Sequence, residues 1–218
     1  MFSQPGQGTV VWSRLCVVKH CSESHDFETT GISVADQREE VCGDGWEVSE
    51  LGGVLRAMVV DGLGHGPFAG EAAREAIAVF RSQATTGVAS TLKLIDQALT
   101  KTRGAAGAIV EICPAKREIT VAGVGNISTR LLHDGTSKSF GCDNGTLGTG
   151  VPRIREDTQP WAPGSILIMH SDGLKSHWNE LEYPGLTRRH PGLIAGLLYR
   201  DFRRERDDVT VLVARHSQ

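Results

Sequence analysis

The spacing of hydrophobic residues along this chain changes several times between a strand-like and a helix-like period. Runs of β-branched and apolar residues predict strands, whereas apolar residues three to four positions apart predict helices. Predicted strands cover residues 10–18, 54–60, 105–112, 118–124, 128–132, 165–170 and 209–214. Predicted helices cover residues 67–80, 88–102 and 191–203. Strands in runs between helix pairs are typical of an α+β layered domain rather than of repeated βαβ units.

No linker divides this pattern. The 218 residues fit one domain at roughly 100–200 residues per domain, so residues 1–218 are expected to form a single domain, with residues 1–8 flexible. Residues 141–163 and the turn at 133–136 are expected to be loops. The 39% hydrophobic and 22% charged residues exclude a disordered chain.

Composition also narrows the class of protein. No apolar run approaches the roughly 20 residues that span a bilayer, and residues 1–8 lack the features of a secretion signal. A net charge of −3 argues against nucleic acid as the main partner, because phosphate backbones require clustered Lys and Arg. We therefore expect a soluble cytoplasmic protein that binds neither nucleic acid nor membrane.

The five cysteines are odd in number and none is spaced as Cys-x-x-Cys, so a disulfide framework is not expected. Cys16, His20, Cys21 and His25 could be drawn as a zinc cluster. However, the strand predicted in this part of the chain would scatter these side chains onto both of its faces. Buried thiols and surface histidines are the favoured interpretation.

Aspartates stand at the ends of predicted strands, most of them beside glycine. Asp44 lies in CGDG, Asp61 in VVDGLGHG, Asp172 in HSDG, and Asp207 and Asp208 in RDDVT. An apolar strand that ends in a carboxylate followed by glycine places a charge at the rim of a core. Glycine there permits unusual backbone angles and close approach by a ligand.

Carboxylates gathered at one site repel each other, and they stay ionised together only when a cation compensates their charge. Oxygen ligands suit Mg²⁺ or Mn²⁺, and two such ions ~3.5–4 Å apart can activate water and neutralise a phosphoryl group. Spacing along the chain does not by itself bring the four sites together. Residues 62–66 could instead form a phosphate cradle ahead of a helix N-terminus.

The order of all four motifs resembles that of the metal-dependent serine/threonine phosphatases of the type 2C superfamily (PPM), and most closely its bacterial SpoIIE branch. The resemblance rests on CGD, on DGLGHG before an alanine-rich helix, on SDGL and on DDVT, and it extends over residues 40–214. KTRGAAGAI at 101–109 and GVGN at 123–126 are similar to the small free-standing phosphatase of the stressosome.

This resemblance implies an αββα sandwich of two antiparallel sheets flanked by helices, without a flap insertion, and two Mn²⁺ or Mg²⁺ ions at one end. Asp61 would bridge both ions, and the Gly62 carbonyl would bind one of them. Asp172 and Asp207 would hold the other ion, and Asp44 would serve the ion on the Gly62 side. Asp61, Asp172 and Asp207 are thereby the implied catalytic residues.

The chain departs from the family pattern at several positions. Asp208 stands where Asn is common and is assigned a supporting role. Gly43 replaces a usual Glu, which is expected to weaken the Gly62-side metal. Leu63 replaces the His proposed as general acid in eukaryotic members, and His65, two places on, is expected to be a loop residue without a catalytic role. Arg38 is the weak candidate for a phosphate-binding Arg, with solvation favoured.

The implied function is hydrolysis of phosphoserine or phosphothreonine on phosphorylated STAS-domain proteins of a stressosome, by a monomer, which resets a stress signal. Two alternatives stay open: an anti-anti-sigma factor as the substrate, and a non-catalytic docking module with the same fold. Residues 141–152 and 176–190 are expected to form rims of the site. His170 is expected to serve packing.

Overall fold

The computed structural model describes residues 1–4, 6, 8–13, 26–179, 183 and 185–217. Its strands are β1 (Phe2–Gln4), β2 (Gly8–Val10), β3 (Phe27–Val34), β4 (Asp44–Leu51), β5 (Val54–Gly62), β6 (Ala105–Cys113), β7 (Glu118–Val124), β8 (Ser128–His133), β9 (Thr136–Phe140), β10 (Asp157–Pro160), β11 (Ile166–His170) and β12 (Val209–His216). Its helices are α1 (Pro67–Ser82), α2 (Val88–Ala98) and α3 (Pro191–Phe202). Short 3-10 turns occupy Leu99–Lys101, Pro114–Lys116 and Leu186–Arg188.

Two five-stranded antiparallel sheets form the centre of the molecule. One has the strand order β10-β7-β6-β5-β4 and the other the order β3-β12-β11-β8-β9. Helices α1 and α2 pack on the first sheet, and α3 packs on the second. These four layers are an αββα sandwich, which confirms the expected α+β fold class.

The central strands are buried on both faces. In β5, Leu55, Ala57 and Val59 point into the core between the sheets, whereas Met58 and Val60 point toward α1 and α2. A strand covered on both sides carries apolar residues at consecutive positions rather than at alternate ones. This double burial explains the continuous hydrophobic run that predicted β5.

The four edge strands of the two sheets, β3, β4, β9 and β10, were not predicted. The sequence of β4 is DGWEVSEL and that of β9 is TSKSF, and most of their residues are half-buried or exposed. Edge strands face solvent more than central ones and carry charged and polar residues. Their hydrophobic period is therefore too weak to identify a strand.

The N-terminal predictions are met only in part. Of the strand predicted over residues 10–18, only Val10 is in a described strand, and Cys16, His20, Cys21 and His25 lie outside the described residues. Within the stretch expected to be flexible, β1 pairs with β2 and Phe2 is buried near Tyr183. In the described part of the chain, no helix is both long and apolar enough to cross a membrane.

Asp96 of α2 ties the helix to the long loop after β9. It is buried, and its Oδ1 accepts the backbone N–H groups of Gly148 at 2.8 Å and Gly150 at 3.1 Å. Its Oδ2 accepts the N–H of Val151 at 2.9 Å. The neighbouring Leu147 pairs with Ala105 at the start of β6, so this carboxylate fixes the loop against the sheet.

We predict that Asp96→Ala lowers the free energy of unfolding by about 2–4 kcal/mol, because three backbone donors lose a charged acceptor. Urea denaturation followed by circular dichroism measures the change. The control is Glu75→Ala on the exposed face of α1, which should shift stability by no more than about 0.5 kcal/mol. Equal effects of the two substitutions would contradict the anchoring role.

Candidate functional site

Aspartates from four chain segments meet at one end of the sandwich. Asp44 opens β4 and lies opposite Asp61 of β5 in the strand register. In the second sheet, Asp172 follows β11, and Asp207 precedes β12, which pairs with β11. Asp61, Asp172 and Asp207 line one pocket, together with Leu63, Gly64, Ala106 and Asn126. Asp44 is buried beside Asp61, so the structure brings the four predicted aspartates together.

Asp44 and Asp61 are the two carboxyl groups of the site whose pKa values are raised most. Burial is the main cause that raises the pKa of each carboxyl, and the charges of Asp44, Asp172 and Asp207 raise that of Asp61 further. A hydrogen bond with Ser171 acts on the pKa of Asp44 in the opposite direction. Asp44 Oδ2 is buried without a hydrogen-bond partner among the described residues. Burial and mutual repulsion therefore favour the protonated form of this pair unless a cation compensates its negative charge.

Asp172 is exposed at the pocket and is held by two neighbours. Asn126 Nδ2 donates a hydrogen bond to Asp172 Oδ2 at 2.8 Å, and Arg204 Nε donates one to the Asp172 backbone carbonyl at 2.7 Å. Burial and then the charges of Asp172 and Asp208 raise the pKa of Asp207. No role was predicted for Asn126 or Arg204, although the GVGN motif that ends in Asn126 was part of the family resemblance.

Asp208 points away from the pocket and binds backbone. Its Oδ1 accepts the N–H of Asp36 at 2.8 Å, and its Oδ2 accepts the N–H of Gly43 at 2.8 Å. A Cβ added at Gly43 would lie 2.7 Å from Asp208 Oδ2 and 2.7 Å from the Cβ of Ala69. Asp208 thus positions the residue before Asp44, and position 43 has no room for a larger side chain.

The glycines after Asp61 and Asp172 are required by the protein's own backbone. A Cβ at Gly62 would lie 2.1 Å from the Ala69 carbonyl oxygen, and one at Gly173 would lie 1.9 Å from the Asp208 carbonyl oxygen. The sequence predicted that these glycines admit a ligand. The structure corrects that reason, because at both positions the close neighbour is main chain.

The first amides of the loop at residues 62–66 are already used. Gly62 N–H donates to the Gly43 carbonyl at 3.0 Å, and Leu63 N–H donates to the Gly104 carbonyl at 2.9 Å. These two donors are therefore not available to an anion. This bonding argues against a phosphate cradle in the loop.

Three other residues considered from the sequence lie outside the pocket lining. His65 is exposed, with Nδ1 2.5 Å from Glu39 Oε1. Arg38 donates to Asp36 through Nε at 3.0 Å and Nη2 at 2.6 Å, so it is paired rather than simply solvated. His170 is buried, and burial lowers its pKa to about 4, which agrees with the predicted packing role.

The donor set fits a hard divalent cation. The carboxylates of this site offer only oxygen, one of these atoms is buried and unpartnered, and burial with mutual repulsion raises their pKa values. Mg²⁺ and Mn²⁺ prefer such ligands. Across the described ranges, no three Asp, Glu, His or Cys side chains already have the spacing of a metal site. The carboxylates would therefore have to draw together when an ion binds.

Comparison with known proteins gives a family match. The family model described as Stage II sporulation protein E (SpoIIE) matches residues 52–217. The phosphoserine phosphatase RsbX of Bacillus subtilis strain 168 is 28% identical over 154 residues, which cover 70% of this chain and 77% of RsbX.

Solved structures give the same fold. A chain from a study of the bacterial stressosome, as a modular system adapted to control secondary messenger signaling, is 30% identical with a TM-score of 0.82. That match covers 88% of this chain and 100% of the other. The crystal structure of RsbX in complex with magnesium is 24% identical with a TM-score of 0.77, over 89% of this chain and 98% of that one.

We predict that divalent cations stabilise the protein more at about pH 8 than at about pH 5. The folded-state pKa values of Asp44 and Asp61 lie above the ordinary value of 3.8. Without metal, the protonated forms of these two carboxyls stabilise the folded protein. This stabilisation is complete below pH 3.8, and it is lost as the pH rises through the folded-state pKa values. Thermal unfolding with Mn²⁺ or with EDTA at each pH measures the difference, expected to be roughly 5 °C at the higher pH.

The matched variant for this measurement is Asp61→Asn. Removal of one buried charge should raise the melting temperature in EDTA and reduce the shift caused by Mn²⁺. An equal Mn²⁺ shift at both pH values, or an unchanged shift in Asp61→Asn, would contradict the compensation of these carboxylates by a cation.

We also predict that Asp208→Asn lowers the free energy of unfolding by about 1–3 kcal/mol, because an amide offers one acceptor oxygen to two backbone donors. The weakened hold on Gly43 should also raise the Mn²⁺ concentration needed for half-maximal thermal stabilisation. The control is Asp134→Asn in an exposed turn, where φ is 45° and Asn is tolerated. A control effect as large as that of Asp208→Asn would contradict this role.

Proposed function

Because the chain belongs to the SpoIIE family and is a metal-dependent protein serine/threonine phosphatase, we propose that it acts on phosphorylated STAS-domain proteins of a stressosome. Hydrolysis of phosphoserine and phosphothreonine on these proteins would reset a stress-response signal. The convergence of Asp61, Asp172 and Asp207 in one open pocket is the observation that supports the catalytic site. The similarity to RsbX and to a chain from a stressosome study supports the substrate.

The aspartates would divide between two ions. Asp61, Asp44 and the Gly62 carbonyl would hold one, and Asp61, Asp172 and Asp207 would hold the other. When bound, Mg²⁺ or Mn²⁺ supplies charge stabilisation for the phosphoryl group and lowers the pKa of the water that attacks phosphorus in line.

The chain's own residues set the geometry for this reaction. Asn126 and Arg204 fix the side chain and the backbone of Asp172, which limits its movement when it serves as a ligand. Asp208 holds Gly43 and thereby the start of β4, where Asp44 stands. Positioning of this kind and electrostatic stabilisation supply most of the rate in phosphoryl transfer, without a covalent enzyme intermediate.

The pocket suits a phosphorylated residue on a protein surface. Its rim includes Leu63, which is 51% exposed, and Gly64. The rim is thus open to solvent beside the three pocket carboxylates. A side chain that projects from a folded partner can reach such a site without unfolding.

We predict that Asp61→Asn and Asp172→Asn each lower kcat by about 10²-fold or more, because each substitution removes a negative ligand from the reacting centre. The assays are hydrolysis of p-nitrophenyl phosphate and of a serine-phosphorylated STAS-domain protein, with Mn²⁺, Mg²⁺ or EDTA. The control Asp134→Asn should keep wild-type activity. Full activity in either site variant, or in EDTA, would contradict the proposed site.

A comparison of two phosphorylated substrates tests the substrate assignment. The value of kcat/KM should be at least about tenfold higher for phosphorylated stressosome STAS proteins than for a phosphorylated anti-anti-sigma factor. The reverse order would favour the alternative substrate. A wild-type protein that binds both partners but hydrolyses neither would return the docking module to consideration.

A further inference from the structure

Two large hydrophobic side chains are exposed in the segment that follows Asp61. Leu63 is 51% exposed and lines the pocket, and Phe68, in the first turn of α1, is 61% exposed. Apolar side chains of this size are usually buried, and exposed groups of them mark contact sites. Leu63 thus places an exposed apolar side chain at the pocket, and Phe68 places an exposed ring at the start of α1.

Arg103 lies over the pocket rim. Its guanidinium carbon is 5.0 Å from the centre of the Phe68 ring, within the range of a cation–π contact. A Cβ added at Gly64, a pocket-lining residue, would lie 2.9 Å from Arg103 Nη1. The guanidinium is thus held between the aromatic ring and the pocket edge.

The backbone around Arg103 is firmly fixed. The Gly104 carbonyl accepts the N–H of Leu63 at 2.9 Å, and the Gly104 N–H donates to Thr102 Oγ1 at 3.0 Å. Thr102 Oγ1 in turn donates to the Leu99 carbonyl at 2.8 Å. Gly104 has φ of +83°, and a Cβ there would lie 2.5 Å from the Leu147 carbonyl oxygen. This turn fixes Arg103 relative to the pocket.

The side-chain donors of Arg103 have no partner in the described part of the chain, whereas Arg38 is paired and Arg204 uses its Nε. Arg38 is paired with Asp36, and Arg204 Nε donates to the Asp172 carbonyl. Among the described residues, Arg103 makes no hydrogen bond or ion pair, and its cation–π contact uses none of its N–H groups. A guanidinium has five such donors in a planar fork that matches the oxygens of a phosphoryl group.

We propose that Arg103 binds the phosphoryl group of the phosphoserine substrate and that Phe68 holds the guanidinium in place for it. A dianionic phosphoryl group that approaches the three pocket carboxylates needs positive charge beyond the charge that balances these carboxylates. Arg103 supplies that charge from the rim. This inference rests on the proposed position of the active site, and it assigns a residue for which neither the motifs nor the family resemblance gave a role.

The test compares Arg103→Ala, Arg103→Lys and Phe68→Leu with the wild type, at saturating Mn²⁺. The measurements are kcat and KM for p-nitrophenyl phosphate and for a phosphoserine peptide, and the inhibition constant of inorganic phosphate. Arg103→Ala should raise the phosphate inhibition constant and both KM values by about 10-fold to 100-fold, the loss expected for a charged hydrogen bond. Arg103→Lys should recover part of the loss, and Phe68→Leu should weaken phosphate inhibition by about 2-fold to 5-fold.

Arg81→Ala is the matched control. Arg81 is also an exposed arginine, and it lies on α1, 13 residues and therefore about 20 Å beyond Phe68. It should leave all constants unchanged. The Mn²⁺-induced rise in melting temperature should persist in Arg103→Ala, which separates loss of phosphate binding from loss of metal.

Three results would overturn the proposal, and they are distinguishable. If Asp61→Asn abolishes turnover while phosphate inhibits Arg103→Ala as it inhibits the wild type, the site stands and the role of Arg103 is wrong. A higher KM for the peptide alone also contradicts that role, because Arg103 would then contact the peptide and not the phosphoryl group. If Asp61→Asn keeps full activity, the position of the active site is wrong and the inference fails with it.

Discussion

Mutual repulsion between carboxylates is the constraint around which this fold is organised. Asp44 and Asp61 face each other across neighbouring strands, and burial together with nearby charges raises the pKa of both. Two buried carboxylates without a compensating cation favour protonation of one of them or local opening of the backbone. Here the two strands are locked into a core that is covered on both faces, so the cost of bringing the charges together is offset by packing elsewhere. A bound cation would reduce the repulsion that is left between the two carboxylates.

The two sheets divide the work of building the site. The first contributes Asp44 and Asp61 from one hairpin, and the second contributes Asp172 and Asp207 where β11 ends and β12 begins. Because β11 and β12 are antiparallel neighbours, the last residues of β11 and the first residues of β12 lie at the same end of the sheet. Glycines after Asp61 and Asp172 let α1 and the Asp208 main chain approach closely. Convergence is thus a consequence of the sandwich and not of local sequence.

The parts of the molecule that could be predicted share one physical property, which is a strong local signal. Central strands such as β5 and β11 were predicted because both of their faces are buried, while all four edge strands were missed because solvent removes that signal. The aspartates were found through motif order, since each sits at a strand end beside small residues. Asn126, Arg204 and the bonding of Asp208 could not be found in this way. Their partners are 46, 32 and 165 residues away along the chain.

The departure from the family pattern at position 43 is linked to Asp208. The Cβ of the usual Glu at this position would lie 2.7 Å from Asp208 Oδ2 and 2.7 Å from the Cβ of Ala69, which is too close to both. With glycine there, the backbone N–H of residue 43 can donate to Asp208, whose second oxygen accepts from Asp36. A carboxylate delivered from the last strand therefore occupies space that a longer side chain at position 43 would need. A larger residue at 43 would have to displace Asp208 or Ala69, and loss of the hydrogen bond to Asp208 would loosen the start of β4.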